Sequence, residues 1–172
     1  MSRSGELFAR ESVGLLRETY VPRLEAALEV LPAGDLWWHS HGGVAAFGNI
    51  LLHLEGNVSQ WILSGIGGEA DHRERATEFE QDQGDSGVEL LERLRATVVA
   101  ACAVVEQMDV EALEGEREIQ GFKTTGLGAV YHVVEHFSWH TAQAVLIAKQ
   151  RAGQDHGLAF YDEASINAAR ND

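Results

Sequence analysis

Three histidines recur at four-residue intervals late in the chain, as His132, His136 and His140 in YHVVEHFSWHTAQ. On an α-helix a four-residue step advances by about 400°, so residues at this spacing stay on nearly one face. Two imidazoles at i and i+4 can grip one divalent ion, as the His pair of zinc-protease helices does. The complete HExxH pattern of those helices is absent, so a zincin-type mechanism has no local support. A further histidine, His53, sits in the apolar setting LLHLEGN. A buried imidazole needs a hydrogen-bond partner or a metal. One His from this segment and two from the later one would make a three-nitrogen site. Such a site leaves room for water or substrate, the arrangement of catalytic rather than closed structural zinc. His pairs at this spacing also arise without a metal. The competing reading is core-facing histidines that hydrogen-bond one another or water.

The elements that must position these residues read as helices. From Glu6 to Leu31, apolar residues recur at helical spacing through Leu7, Phe8, Leu15, Leu16, Leu24 and Leu28. Pro22 predicts a kink or a new first turn, and LPAGD a stop followed by a turn. A second helix is predicted over about Val44 to Ser64, closed by the glycines of SGIGG. Gly48 and Gly56 inside it cost helix propensity, and such glycines are kept for close approach of a neighbour. Residues Glu69 to Asp85 carry seven acidic side chains and two arginines. This stretch reads as a long solvated loop with at most a short helical turn, and loops of this length are often functional. Within it, Arg73 and Arg75 stand near Glu78 and Phe79. They are expected to pair with neighbouring acids in preference to an anionic substrate or thiol.

The third helix begins with Asp85 or Ser86 as N-cap, with the stripe Val88, Leu91, Leu94, Val98, Ala101, Val105 and Met108. GEREIQGFKTT reads as an extended, polar connection. The fourth helix runs from about Leu127 to Gln150, with Thr124 or Thr125 near its start. The tail, about 152–172, is irregular, with a short helical turn at EASINAAR. Four helices without a convincing strand predict an all-α chain, a four-helix bundle forming one domain over 1–172.

Composition narrows the function classes. The 172 residues hold 13 Lys plus Arg against 27 Asp plus Glu, a formal charge of −14. An acidic chain is a poor binder of nucleic acid and of anionic membranes, so neither is an expected partner. Cys102 is the single cysteine. It allows no intramolecular disulfide or thiolate cluster, and its run ATVVAACAVV makes it a small buried hydrophobe. The N-terminal MSRSGELFARES mixes charges and has no apolar signal core, and no stretch approaches the ~20 apolar residues of a membrane span. A cytoplasmic location is expected. No GxSxG elbow and no phosphate-binding glycine loop occurs. Trp37, Trp38, Trp61 and Trp139 read as core or helix-packing aromatics. His39 and His41 read as loop residues, His72 and His156 as surface.

These segments resemble the DinB/YfiT-like superfamily of damage-inducible, metal-binding four-helix bundles. HFSWHTAQ matches its late pattern with His136, His140 and Gln143. GNILLHLEGNVSQWILSGIGG matches its early one with His53, Asn49 and Asn57. With LPAGDLWW before it and the charged, EF-containing loop after it, the likeness is to an uncharacterised subgroup and runs from about Leu15 to Ala148. The resemblance implies that His53, His136 and His140 bind a divalent metal, zinc or nickel foremost. Asn49 and Gln143 are then candidates to steady the ligands from behind. His132 is a supporting or core group in preference to a ligand, and Asn57 is equally a structural polar contact. The resemblance further implies a metal-dependent enzyme acting on a small-molecule substrate, foremost a transferase using a low-molecular-weight thiol. The metal would favour the thiolate, which attacks an electrophile. Metal-dependent hydrolysis, through water of lowered pKa, and a non-catalytic metal-binding stress protein are the alternatives. A homodimer is expected on the same resemblance.

Overall fold

The computed structural model describes residues 2–161; the helical turn expected at EASINAAR lies outside the described residues. The chain is mostly helical, in keeping with the all-α expectation. It opens with α1 (Arg3–Gly14), a π-helical stretch (Leu15–Tyr20) and α2 (Val21–Val30), which follow one another directly. Pro22 explains the π stretch. A proline has no N–H to donate and its ring crowds the carbonyl four residues back, and a widened turn relieves that conflict. Accordingly the Val21 N–H bonds the Leu16 carbonyl, one residue further back than in an α-helix.

The second long element is α3 (Phe47–Val58), continued by a π-helical stretch at Ser59–Ser64. A strap follows that contains the short helix α4 (Arg75–Glu80). Then come α5 (Gly87–Glu106), α6 (Val110–Glu114), two strands, and the long α7 (Gly126–Ala152). α3 packs against α5 and α7, α2 against α7, and α1 against α5. Leu24, Leu51, Leu54, Leu94, Val98 and Phe137 meet in the shared core. Each fully buried side chain of this size contributes about 1.5–3 kcal/mol relative to an exposed one.

α5 follows its sequence pattern with one correction. Leu91, Leu94, Val98, Ala101, Val105 and Met108 are buried, but Val88 is 61% exposed and Leu90 takes its place. Gly87 faces inward in close contact, where an added Cβ would lie 2.6 Å from a Leu28 methyl. That contact turns the next residue outward. Leu7 and Leu15 of the first predicted stripe are likewise exposed. Cys102 is buried on α5, and burial raises its thiol to about 11, so it stays protonated and inert. Ser86 is the N-cap: its Oγ accepts from the Glu89 N–H at 3.3 Å, while the Ser86 N–H donates to Glu89 Oε2 at 2.8 Å. This reciprocal cap satisfies two otherwise unpaired donors. Ser86→Ala is expected to lower stability by about 1 kcal/mol, read as a shift of the urea midpoint at unchanged slope.

The connection before α7 is not merely extended. Its β1 (Glu116–Ile119) and β2 (Phe122–Thr125) form an antiparallel hairpin in which Ile119 opposes Phe122. Gln120 and Gly121 both take positive φ, 55° and 78°. A two-residue turn of that kind matches the twist of paired strands. A Gln-Gly pair signals it less clearly than Asn-Gly does. The hairpin buries Ile119 and ends on Thr125, whose hydroxyl caps α7 by accepting from the Gly128 N–H at 3.1 Å.

Candidate metal centre

α7 turns a continuous apolar face inward, including Val130, Val133, Phe137, Ala144 and Ile147. His136 and His140 flank Phe137 along the edge of that face and are half-buried. His53 is buried on α3, the helix that packs across α7. The three imidazoles each direct a ring nitrogen to one place, with those nitrogens within 4.8 Å of one another. His53 Nε2 and His136 Nε2 are 3.1 Å apart, and His140's ring centroid lies 4.4 Å from that of His136 and 4.8 Å from that of His53.

The far side of His53 is held by the strap. Its Nδ1 lies 2.7 Å from Glu78 Oε2. Glu78 in turn accepts from Arg73, Nε to Oε1 at 2.7 Å and Nη2 to Oε2 at 3.0 Å. Burial alone would raise the Glu78 carboxyl, but hydrogen bonds from His53 and Arg73 outweigh it and hold the group below the usual range. Gln60, in the π-helical stretch, accepts from Arg73 Nη1 at 3.0 Å and donates to Asp71 at 2.8 Å. In a buried ion pair, losing one partner costs about 3–5 kcal/mol because the other charge is stranded.

His140 is held similarly. Its Nδ1 lies 2.7 Å from Gln143 Oε1. An acceptor at Nδ1 fixes the proton there and leaves Nε2 with its lone pair. Burial, and then the neighbouring His140, His53, His132 and Arg73, push His136 down to about 3. His140 is also lowered, by burial first and then by His53. Metal ligation requires neutral imidazole, and these environments favour the neutral form of His136 and His140. The donor set therefore fits a divalent ion: three nitrogen donors, two of them with their outer nitrogen already committed.

The remaining sequence candidates take other places. His132 lies one turn earlier, 4.0 Å from the Trp61 ring centre to centre, and its Nε2 is 3.3 Å from Asn57 Nδ2. Asn57 and His132 thus pair with each other beside the trio. Asn49 hydrogen-bonds none of the histidines. Its Nδ2 donates to the Glu78 and Gln81 carbonyls at 3.0 and 2.7 Å, and its Oδ1 accepts from the Ala46 N–H at 2.9 Å. It fastens the strap to the start of α3. Arg73 pairs with an acid, as expected. Arg75 forms no ion pair among the described residues and lies over the Phe79 ring at 5.1 Å. Trp37 packs on Gly48 and Trp61 is buried, but Trp139 is 66% exposed. The aromatic reading is corrected there, because α7 turns Trp139 to the side opposite its packed face.

Residues 69–85 read as solvated, yet the structure buries the Glu78 and Arg73 side chains of this stretch. Two signals pointed to this contact. Gly56 lies one turn after His53 on α3, and a Cβ there would overlap the Glu78 carboxylate and sit 2.9 Å from Arg73 Nε. Phe79 is an aromatic in a polar run, and its ring lies 4.7 Å from that of His53.

Residues 9–159 match the family described as "Protein of unknown function (DUF1572)". The chain belongs to this family. The DUF1572 match takes in His53, the strap and all three histidines of α7. No curated protein and no solved structure matches the chain. No helix among the described residues of this DUF1572 member is long and apolar enough to cross a membrane.

Proposed function

We propose that this chain is a metal-dependent enzyme of the DinB/YfiT type. On this reading it is a four-helix bundle that holds a divalent ion, zinc or nickel, on His53, His136 and His140. Its reaction is transfer of a low-molecular-weight thiol onto an electrophilic small molecule. The observation that carries the reading is the convergence of three imidazole nitrogens without a protein group to complete the set. Among the described residues no fourth His, Cys, Asp or Glu joins them. Three protein donors with an open position is the pattern of catalytic sites, whereas a structural staple closes all four. The pairwise packing of the four long helical elements supports the bundle assignment.

When bound, such an ion supplies positive charge that favours the thiolate, the nucleophilic form of a thiol. The chain's own residues do the rest. Glu78 and Gln143 orient the His53 and His140 rings. Burial keeps His136 and His140 neutral. His140 is only partly covered, so the trio lies at the edge of the core and not deep within it.

Elemental analysis of protein purified without a metal-affinity tag checks the first part. One equivalent of zinc or nickel is expected, as isolated or after incubation. A trace amount unchanged by incubation overturns the metal assignment. For the reaction, metal-loaded protein is offered several low-molecular-weight thiols with an electrophilic chromogenic acceptor. A thiol-dependent rate above that of His53→Ala is expected. No such rate with any thiol overturns S-transfer, and ester turnover without thiol would assign hydrolysis in its place.

A further inference from the structure

We propose that Glu78, clamped by Arg73, is a positioning residue that sets which nitrogen of His53 faces the metal centre. The inference deepens the metal-centre reading and rests on it for its functional meaning. A neutral imidazole carries one ring proton, and the partner of one nitrogen decides what the other offers. Two groups face Nδ1: Glu78 Oε2, an acceptor with no proton to give, at 2.7 Å, and Arg73 Nη2, a donor, at the longer 3.1 Å. Arg73 Nη2 also donates to Glu78 Oε2 at 3.0 Å, and the shorter contact of Nδ1 to the carboxylate governs. The ring proton therefore resides on Nδ1, and the Nε2 lone pair points at His136 and His140.

The blander reading makes Glu78 merely the counter-ion of Arg73. Three features of the structure favour positioning. Both Arg73 contacts come from one edge of the guanidinium, so the carboxylate is held in a single plane with Oε2 turned to the His53 ring. The strap that brings Glu78 is fastened by Asn49 at two backbone carbonyls and by the Asp71–Gln60–Arg73 chain of hydrogen bonds. Finally, α3 carries glycine at 56, where any side chain would displace the carboxylate. An ion pair alone needs none of this alignment with a histidine on another helix. Outer carboxylates of this kind, once removed, typically cost ligating sites about 10–100-fold in metal affinity.

The test uses full-length protein with 15N-labelled histidine, stripped of metal. Long-range 1H–15N correlation reads the tautomer of each ring, with His53 assigned by its loss in His53→Ala. Wild type is expected to show His53 protonated on Nδ1. Glu78→Ala and Gly56→Ala are expected to lose that preference and to bind zinc about 10–100-fold more weakly. Glu78→Gln keeps a carbonyl acceptor, so it is expected to retain the tautomer and fall between them in affinity. A wild-type His53 protonated on Nε2 overturns the proposal, as does an unchanged tautomer in Glu78→Ala. If Glu78→Ala does not fold, wild type and Gly56→Ala decide the matter on the same two outcomes. A counter-ion role alone would shift thermal stability and leave the ring tautomer unmoved. The tautomer is read without metal, so wild-type protein that shows Nδ1–H but binds no zinc or nickel would sink the proposed function and leave this inference standing.

Discussion

His136→Ala is expected to abolish stoichiometric metal uptake, whereas His132→Ala, one turn away on the same helix, is expected to keep it. His136 adjoins both other rings of the trio, with Nε2 3.1 Å from that of His53 and its centroid 4.4 Å from that of His140. Alanine there removes a ligand and leaves two imidazoles that cannot hold an ion as three can. The loss should exceed the roughly 10–100-fold typical of removing an outer partner. His132 instead faces Asn57 and Trp61, so its loss strands the Asn57 amide but removes no donor from the trio. Competition titration against a chromogenic chelator reads both affinities. The visible spectrum of the cobalt-substituted protein reports whether the coordination sphere has changed. Equal loss in the two variants would place the metal one turn earlier on α7 and overturn the assignment.

Phe137→Ala is expected to lower the unfolding free energy by about 3–5 kcal/mol, the range for emptying a buried aromatic site. Phe137 is completely buried and stacks on Tyr20 at 5.9 Å between ring centres. Tyr20 ends the π-helical stretch ahead of Pro22, so this contact joins α7 to the first helix. The ring also immediately follows His136, and its burial fixes the rotation of α7 that aims the two histidines. Trp139, two residues on and 66% exposed, provides the control, with an expected change within about 0.5 kcal/mol. Urea denaturation measures both. A midpoint shift at constant slope is expected for Phe137→Ala. A loss no larger than that of Trp139→Ala would show that α7 packs on another face.

Much of the helical framework was legible because local chemistry marks it. A cap at Asp85 or Ser86, the apolar period of α5 and a start of α7 near Thr124 or Thr125 are short-range signals, and the structure settles the caps on Ser86, with Glu89 three residues on, and on Thr125. The hairpin at Glu116–Thr125 was not legible as one. Its strands have four residues each and are mostly polar, and pairing across a Gln-Gly turn is what organises them. Val88 and Leu90 show the same limit on a helix: periodicity allows either, and the contact of Gly87 with Leu28 chooses.

For the site, the chain alone determined that His136 and His140 lie on one side of one helix, since a four-residue step returns to the same face. It also placed His53 on a buried stretch of another. Only the tertiary structure decided that these two helices cross where the three rings meet, and that His132 is left to Asn57. It also decided that an acidic, outwardly soluble-looking strap folds Arg73 and Glu78 in against His53. The physical reason is range. Helical periodicity acts over a turn or two, whereas the burial of a carboxylate 25 residues from its imidazole partner depends on a space at Gly56, on two carbonyls that satisfy Asn49, and on a guanidinium that balances the charge. No local pattern encodes that set of conditions together.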